Sequence, residues 1–181
     1  HENDDEKKLP DRIADLALSH KDSDRAVIVF VRKVETVEKI ADRLRKANRQ
    51  VEMLTGTLRG RERDELVDKP VFRRFLPGAD AEGETVYLVC TSAGEVGVNI
   101  SADHLVCDLS TFESMAQRFG RVNRFGNRDD TRIDIVFPSE LDANDRDESR
   151  LLKTLSLLRE LNGDGSPDAL NELDREERLA A

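Results

Sequence analysis

The stretch AVIVFVRKVETVEKIADRLRKA, residues 26–47, decides the fold. Its first six residues are apolar without a break and mostly β-branched. That composition predicts a strand covered on both faces, as in a parallel sheet. The rest of the stretch changes period. Val34, Val37, Ala41 and Leu44 recur at helical spacing, and Glu35 precedes Lys39 by four residues. Residues 34–47 therefore predict an amphipathic helix.

The same alternation continues outward. QVEMLTG predicts a short strand ending at Gly56, and RGRERDELVDK (59–69) a charged helix ended by Pro70. PGADAEGE (77–84) is a turn-rich loop. TVYLVC (85–90), ADHLVCDLS (102–110) and TRIDIVF (131–137) predict three further strands, the last ended by Pro138. Upstream, LPDRIADLALS (9–19) predicts a helix with Pro10 in its first turn. Downstream, RLLKTLSLLREL (150–161) predicts a helix, and GDGSP (163–167) separates it from a short polar one. Strands alternating with helices indicate a three-layer α/β domain with a mostly parallel sheet and right-handed crossovers. The expected organisation is a lead-in over 1–24, the α/β domain over 25–138 and a helical extension over 139–181.

Composition narrows the classes. The 181 residues carry 29 basic and 38 acidic side chains, a net charge of −9. A general basic coat for nucleic acid is excluded; a local groove is not, because distribution matters more than the sum. No run of about 20 apolar residues is present, so no membrane span is expected. There is no signal peptide and residue 1 is His, which reads as a piece of a longer, cytoplasmic protein. Cys90 and Cys107 lie in apolar strands without ligand spacing and read as buried free thiols.

The chemistry concentrates in TFESMAQRFGRVNRFGN (111–127). On a helix at ~100° per residue, Phe112, Met115, Phe119 and Val122 form a core stripe, and Gln117, Arg121 and Arg124 the opposite face. Arg118 falls between the two sets. Arg118, Arg121, Arg124 and Arg128 occur within eleven residues with no acid before Asp129. A solvated basic face is the plain reading. Unpaired like charge at this density instead suggests an awaited anion.

Gln117-Arg118-x-Gly120-Arg121-x-x-Arg124 resembles motif six of superfamily-two helicases. The resemblance implies a RecA-like domain in which Arg121 and Arg124 are arginine fingers on the γ-phosphate of ATP. Gln117 and Arg118 would link to the acidic motif of a partner domain. A planar, permanently charged donor suits the charge that spreads over phosphoryl oxygens. Thr91-Ser92-Ala93-Gly94-Glu95-Val96-Gly97-Val98-Asn99-Ile100 resembles motif five. It implies nucleic-acid phosphate contacts at Thr91 and Ser92, and nucleotide contacts at Gly97 and Asn99. The usual residue at Asn99 is Asp. An ordinary glycine-bearing loop of an α/β fold is the rival reading.

Ile28 to Arg32 resembles motif four, which implies that Phe30 and Arg32 lie near nucleic acid or nucleotide; a plain core strand also explains Phe30. LTGTLRGRERDEL, with Gly56 near nucleic acid, is similar to the type I CRISPR-associated helicase–nucleases, the Cas-three family of the former subtype I-U lineage. That likeness implies ATP and Mg2+ as cofactors, held mainly by a first RecA-like domain. It also implies single-stranded DNA and a guide-RNA surveillance complex as partners. No G-x-x-x-x-G-K-[ST] loop, D-E-x-[DH] box or His-Asp nuclease pair occurs. This chain alone is therefore expected neither to hydrolyse ATP nor to cut DNA. Another superfamily-two DNA or RNA helicase, or a non-catalytic phosphate- or protein-binding domain, remains the alternative.

Overall fold

A computed structural model describes residues 1–3, 5–56, 65–79, 83–96, 98–126 and 128–181. Six parallel strands form one sheet: β1 (Glu2–Asn3), β2 (Ala26–Phe30), β3 (Gln50–Leu54), β4 (Val86–Cys90), β5 (His104–Asp108) and β6 (Arg132–Pro138). Their order across the sheet is β1-β6-β5-β2-β4-β3. The helices are α1 (Leu9–Leu18), α2 (Val34–Lys46), α3 (Pro70–Arg73), α4 (Phe112–Phe119), α5 (Arg146–Glu160), α6 (Pro167–Glu172) and α7 (Arg175–Ala180). This is an α/β RecA-like domain, with its sheet entirely parallel.

The unbroken apolar run at β2 has a direct cause. Successive strand residues point to opposite faces, and here both faces are covered. Ala26, Ile28 and Phe30 enter one core with α3, α4 and residues of α5 and α6. Val27, Val29 and Val31 enter the other with α1 and α2. Each such side chain, fully buried, contributes about 1.5–3 kcal/mol before chain entropy is set against it.

The lead-in is built into this frame. β1 pairs with β6, and Ile13, Ala14, Leu16 and Ala17 of α1 fill the α2-side core. In the extension, Leu151 and Leu155 of α5 close over Leu109, Ile135 and Phe137. Most of the helix expected over 59–69 lies outside the described residues. Pro70 opens α3 rather than merely ending a helix, since its missing N–H is unneeded in a first turn.

β2 and β5 are neighbours, but the chain leaves them for opposite faces, toward α2 and α4. Strand order reverses here, and in open α/β sheets ligands bind outside the carboxyl ends at such a point. A cavity of about 770 Å3 opens there, lined among others by Arg32, Lys33, Asp108 and Leu109.

Candidate functional site

Two loops meet on the side of the sheet that carries α4. The first follows β4 and runs from Thr91 to Ser101; the second follows α4 and runs from Gly120 to Arg128. Their backbones pair. Ala102 N–H donates to the Arg121 carbonyl at 2.8 Å, and Asn123 N–H donates to the Ala102 carbonyl at 2.8 Å. This pairing corrects the helical reading of 111–127. α4 stops at Phe119 with Gly120 as its cap. The bridge then claims the backbone of 121–123, and Asn123 and Gly126 turn the chain with φ of 45° and 64°. Arg121 and Arg124 thus sit on a loop, not on the helix face with Gln117.

Arg118, expected to link to a partner domain, is turned inward in this chain, with its side chain 1% exposed. Its Nε donates to Glu95 Oε1 at 2.8 Å. One terminal nitrogen donates to the Asp108 carbonyl at 2.8 Å and to Asp108 Oδ1 at 3.1 Å. The guanidinium lies 5.4 Å from the centre of the Phe30 ring. Phe30 is therefore a core residue and a floor for this cation. Glu95 and Asp108 are buried too, and Ser114 Oγ donates to Glu95 Oε2 at 3.2 Å. Charges taken this far from water persist because each has an opposite partner and further hydrogen bonds.

The two later arginines differ. An Arg121 terminal nitrogen donates to the Glu95 carbonyl at 2.6 Å, while its Nε is buried without any hydrogen-bond partner. An Arg124 terminal nitrogen donates to Asn99 Oδ1 at 2.7 Å, and its backbone N–H donates to Ser101 Oγ at 3.2 Å. Both acceptors of the guanidiniums are neutral. Burial and the charge of Arg124 together hold the Arg121 pKa below the usual arginine value. Among the described residues neither cation has a carboxylate partner.

Local sequence explains how the loops lie so close. Gly94 packs against the core: a Cβ there would meet Phe30 Cε1 at 2.9 Å and the Cys90 side chain at 3.1 Å. Thr91 caps the short 3-10 turn Ser92–Gly94 by accepting from Ala93 N–H at 3.5 Å. Asn123 fixes the second loop through both ends of its amide, to the Arg128 carbonyl at 2.8 Å and the Arg128 N–H at 3.1 Å.

The remaining candidates fall at the carboxyl edge of the sheet. Arg32 follows β2, half-exposed, and holds Asp108 Oδ2 with its Nε at 3.2 Å. Thr91 is buried and Ser92 exposed after β4, and Gly56 is exposed beyond β3. β2, β4 and β3 are adjacent, so these residues line one edge. Gln117 is half-buried on α4, and Gly97 lies outside the described residues. Sequence reasoning gave no role to Glu95. A lone acid inside the small-residue loop TSAGEVG was the one available signal for Glu95. No group of three or more His, Cys, Asp or Glu among the described residues could hold a metal ion. No helix among them is long and apolar enough to cross a membrane.

Known proteins agree with this architecture. Residues 23–127 match the family model of the C-terminal part of the CRISPR-associated nuclease/helicase Cas3. T. fusca Cas3 with ATP superposes with a TM-score of 0.71 at 18% identity, over 91% of this chain and 22% of that one. The C-terminal domain of the DEAD-box protein Dbp5 superposes at 0.61 and 23% identity, over 87% and 82%. A CRISPR RNA-guided surveillance complex, pre-nicking, gives 0.66 at 20% identity, over 94% and 22%. At such identities the likeness carries the fold alone. No curated protein matches. The chain spans about a fifth of the length of the Cas3 structures. The family model extends from the approach to β2 through the loop that carries both exposed-side arginines, more than half of the sequence, and the chain therefore belongs to the Cas3-like C-terminal family of superfamily-two helicase domains.

Proposed function

We propose that this domain is the second motor domain of an ATP-driven DNA translocase acting in CRISPR interference. A first RecA-like domain of the same protein would hold ATP with Mg2+. Arg121 and Arg124 would reach across the interdomain cleft as arginine fingers. The observation that carries this reading is their pairing with neutral acceptors only, beside an unpartnered Arg121 Nε. Bound ATP supplies the phosphoryl group whose transfer to water releases free energy. A guanidinium fixed in advance can take up charge on the phosphoryl oxygens without reorganising. The Glu95 carbonyl orients Arg121, and Asn99 orients Arg124; Glu95 is itself held by the buried Arg118.

The DNA track in this reading is the carboxyl edge, with Arg32, Thr91, Ser92 and Gly56 facing phosphates. Backbone and hydroxyl contacts to phosphate carry little sequence information, which suits a motor. The family membership supports invader DNA and a guide-RNA surveillance complex as the partners. The test joins this chain to the first RecA-like domain of its parent protein. ATPase activity should require both halves and collapse in Arg121→Ala with unchanged folding. Undiminished turnover in that variant sinks the finger assignment.

A further inference from the structure

We propose that the C-terminal extension adds a phosphate-binding groove for single-stranded nucleic acid, formed by Arg150, Arg175 and Arg178 beside α4. The proposal rests on the translocase reading and extends its DNA track. The groove is a cavity of about 570 Å3 between α4, α5 and α7, and Thr111, Gln117 and the three arginines line it. That volume is in the range of ligand-sized sites.

Charge sorting carries the argument. The protein is acidic overall, at −9. Many arginines elsewhere are held by acids, among them Arg25 by Asp130, Arg118 by Glu95 and Asp108, Arg128 by Asp103 and Arg132 by Asp134, whereas Arg121 and Arg124 meet neutral acceptors. Among the described residues, the side chains of Arg150 and Arg175 have no ion-pair or hydrogen-bond partner. Arg178 donates to the Leu170 carbonyl at 3.2 Å and to Asn171 Oδ1 at 3.5 Å, both neutral, and its Nε is buried without a partner.

The spacing on α7 is selective. Arg175 and Arg178 are three apart and share a face. Glu176 and Glu177 between them line a different cavity, with Lys153. The one acidic side chain lining the arginine groove is Glu113, which accepts weakly from Gln117 Nε2 at 3.5 Å. Three guanidinium groups lining one groove against the single side-chain carboxylate of Glu113 match successive phosphates better than a single small anion.

Position fixes the class of ligand. Thr111 follows the end of β5 and opens α4, so the groove begins at the carboxyl edge that holds Arg32, Thr91 and Ser92. β5 neighbours β2. A strand laid along that edge from β3 past β4 and β2 would next meet the groove. A protein carboxylate is the competing occupant, and the test separates the two.

The isotope-labelled chain is titrated with dT12 while the arginine Nε–H signals are followed. Arg150→Gln/Arg175→Gln and Arg32→Gln are measured in parallel. Both side chains of the double variant are solvent-exposed, so its melting temperature should stay at that of the parent. Shifts at Arg150 and Arg175, and about tenfold weaker binding in the double variant, support the groove. Its salt dependence should also flatten by about 1.4 logarithmic units per decade, about 0.7 for each phosphate no longer neutralised. Weakening by Arg32→Gln alone overturns the groove and leaves the edge track intact. Weakening by the double variant alone keeps the groove and removes Arg32 from the track. An equal response to hexaglutamate overturns the proposal in favour of a protein partner. Absence of any dT12 response overturns the groove and the track together.

Discussion

Arg118 and Arg121 stand three residues apart in one motif and carry the same side chain, yet the molecule uses them in opposite ways. Arg118 is enclosed with Glu95 and Asp108 over the Phe30 ring. Arg121 and Arg124 are met only by neutral oxygens. The enclosed arginine is satisfied and ties one loop and a strand end to α4. The open pair is left short of negative charge. A repeated residue type in a motif thus says nothing of shared duty; partners and burial decide it.

The largest expected effect falls on the open pair. In the two-domain protein, Arg121→Ala should lower ATP turnover by ~10³–10⁵-fold. Its folding free energy should move by no more than about 1 kcal/mol, measured by urea unfolding. Equal losses of stability and turnover would erase the contrast with Arg118.

Arg118→Ala should act the other way, through the fold. It strands two buried carboxylates, and breaking such a pair from one side costs about 3–5 kcal/mol. Thermal melting should drop by about 2–4 °C for each kcal/mol in a chain of this size. Adding Glu95→Gln to Arg118→Met should recover part of the loss, because less charge is left unpaired. A melting point unmoved by Arg118→Ala would show that the enclosure is incidental.

Gly94→Ala tests how tightly the first loop is pressed onto Phe30, the floor of the Arg118 enclosure. With 2.9 Å available to the new Cβ, the variant should lose about 1–3 kcal/mol in denaturant titration. Arg118 and its acids should loosen with it, which slowed proton exchange of the guanidinium would contradict.

The smallest effect concerns the amino edge of the sheet and bounds the comparison from outside. His20 and His104 stack there at 4.3 Å between ring centres, and His104 Nδ1 accepts from Arg132 N–H at 3.2 Å. Burial, then the neighbouring His20, hold the His104 pKa below its usual 6.5. The native state therefore refuses a proton that the unfolded chain accepts. Its stabilising contribution is complete above pH 6.5 and declines as pH falls from there through the lower native value. Asp134 adds a second loss at lower pH. Burial pushes its pKa up, but hydrogen bonds from His20 and Arg132 outweigh this and hold it below 3.8. Unfolding followed against pH should show the first slope, and His104→Gln should flatten it. An unchanged slope would point to other groups.

Much of the fold was legible because periodicity reports burial. AVIVF reads as a strand covered twice because the run is short and rich in β-branched residues, and α2 reads as a helix with one apolar face because its apolar residues recur at helical spacing. What failed was the extension of α4 through Arg124. The helical wheel accommodated those residues well, but a backbone bridge from Ala102, distant in sequence, took their hydrogen bonds. No local pattern reveals a partner on another loop. Glu95 was passed over for the same reason.

By itself the sequence determined an α/β domain with two apolar layers, most of its strands and helices, and a dense cluster of arginines. Tertiary structure alone decided which arginine is enclosed with carboxylates and which two meet only neutral acceptors. Hydrophobic period is encoded locally and survives in any fold that buries it. A charge acquires its role from groups that only long-range packing brings within a few ångströms.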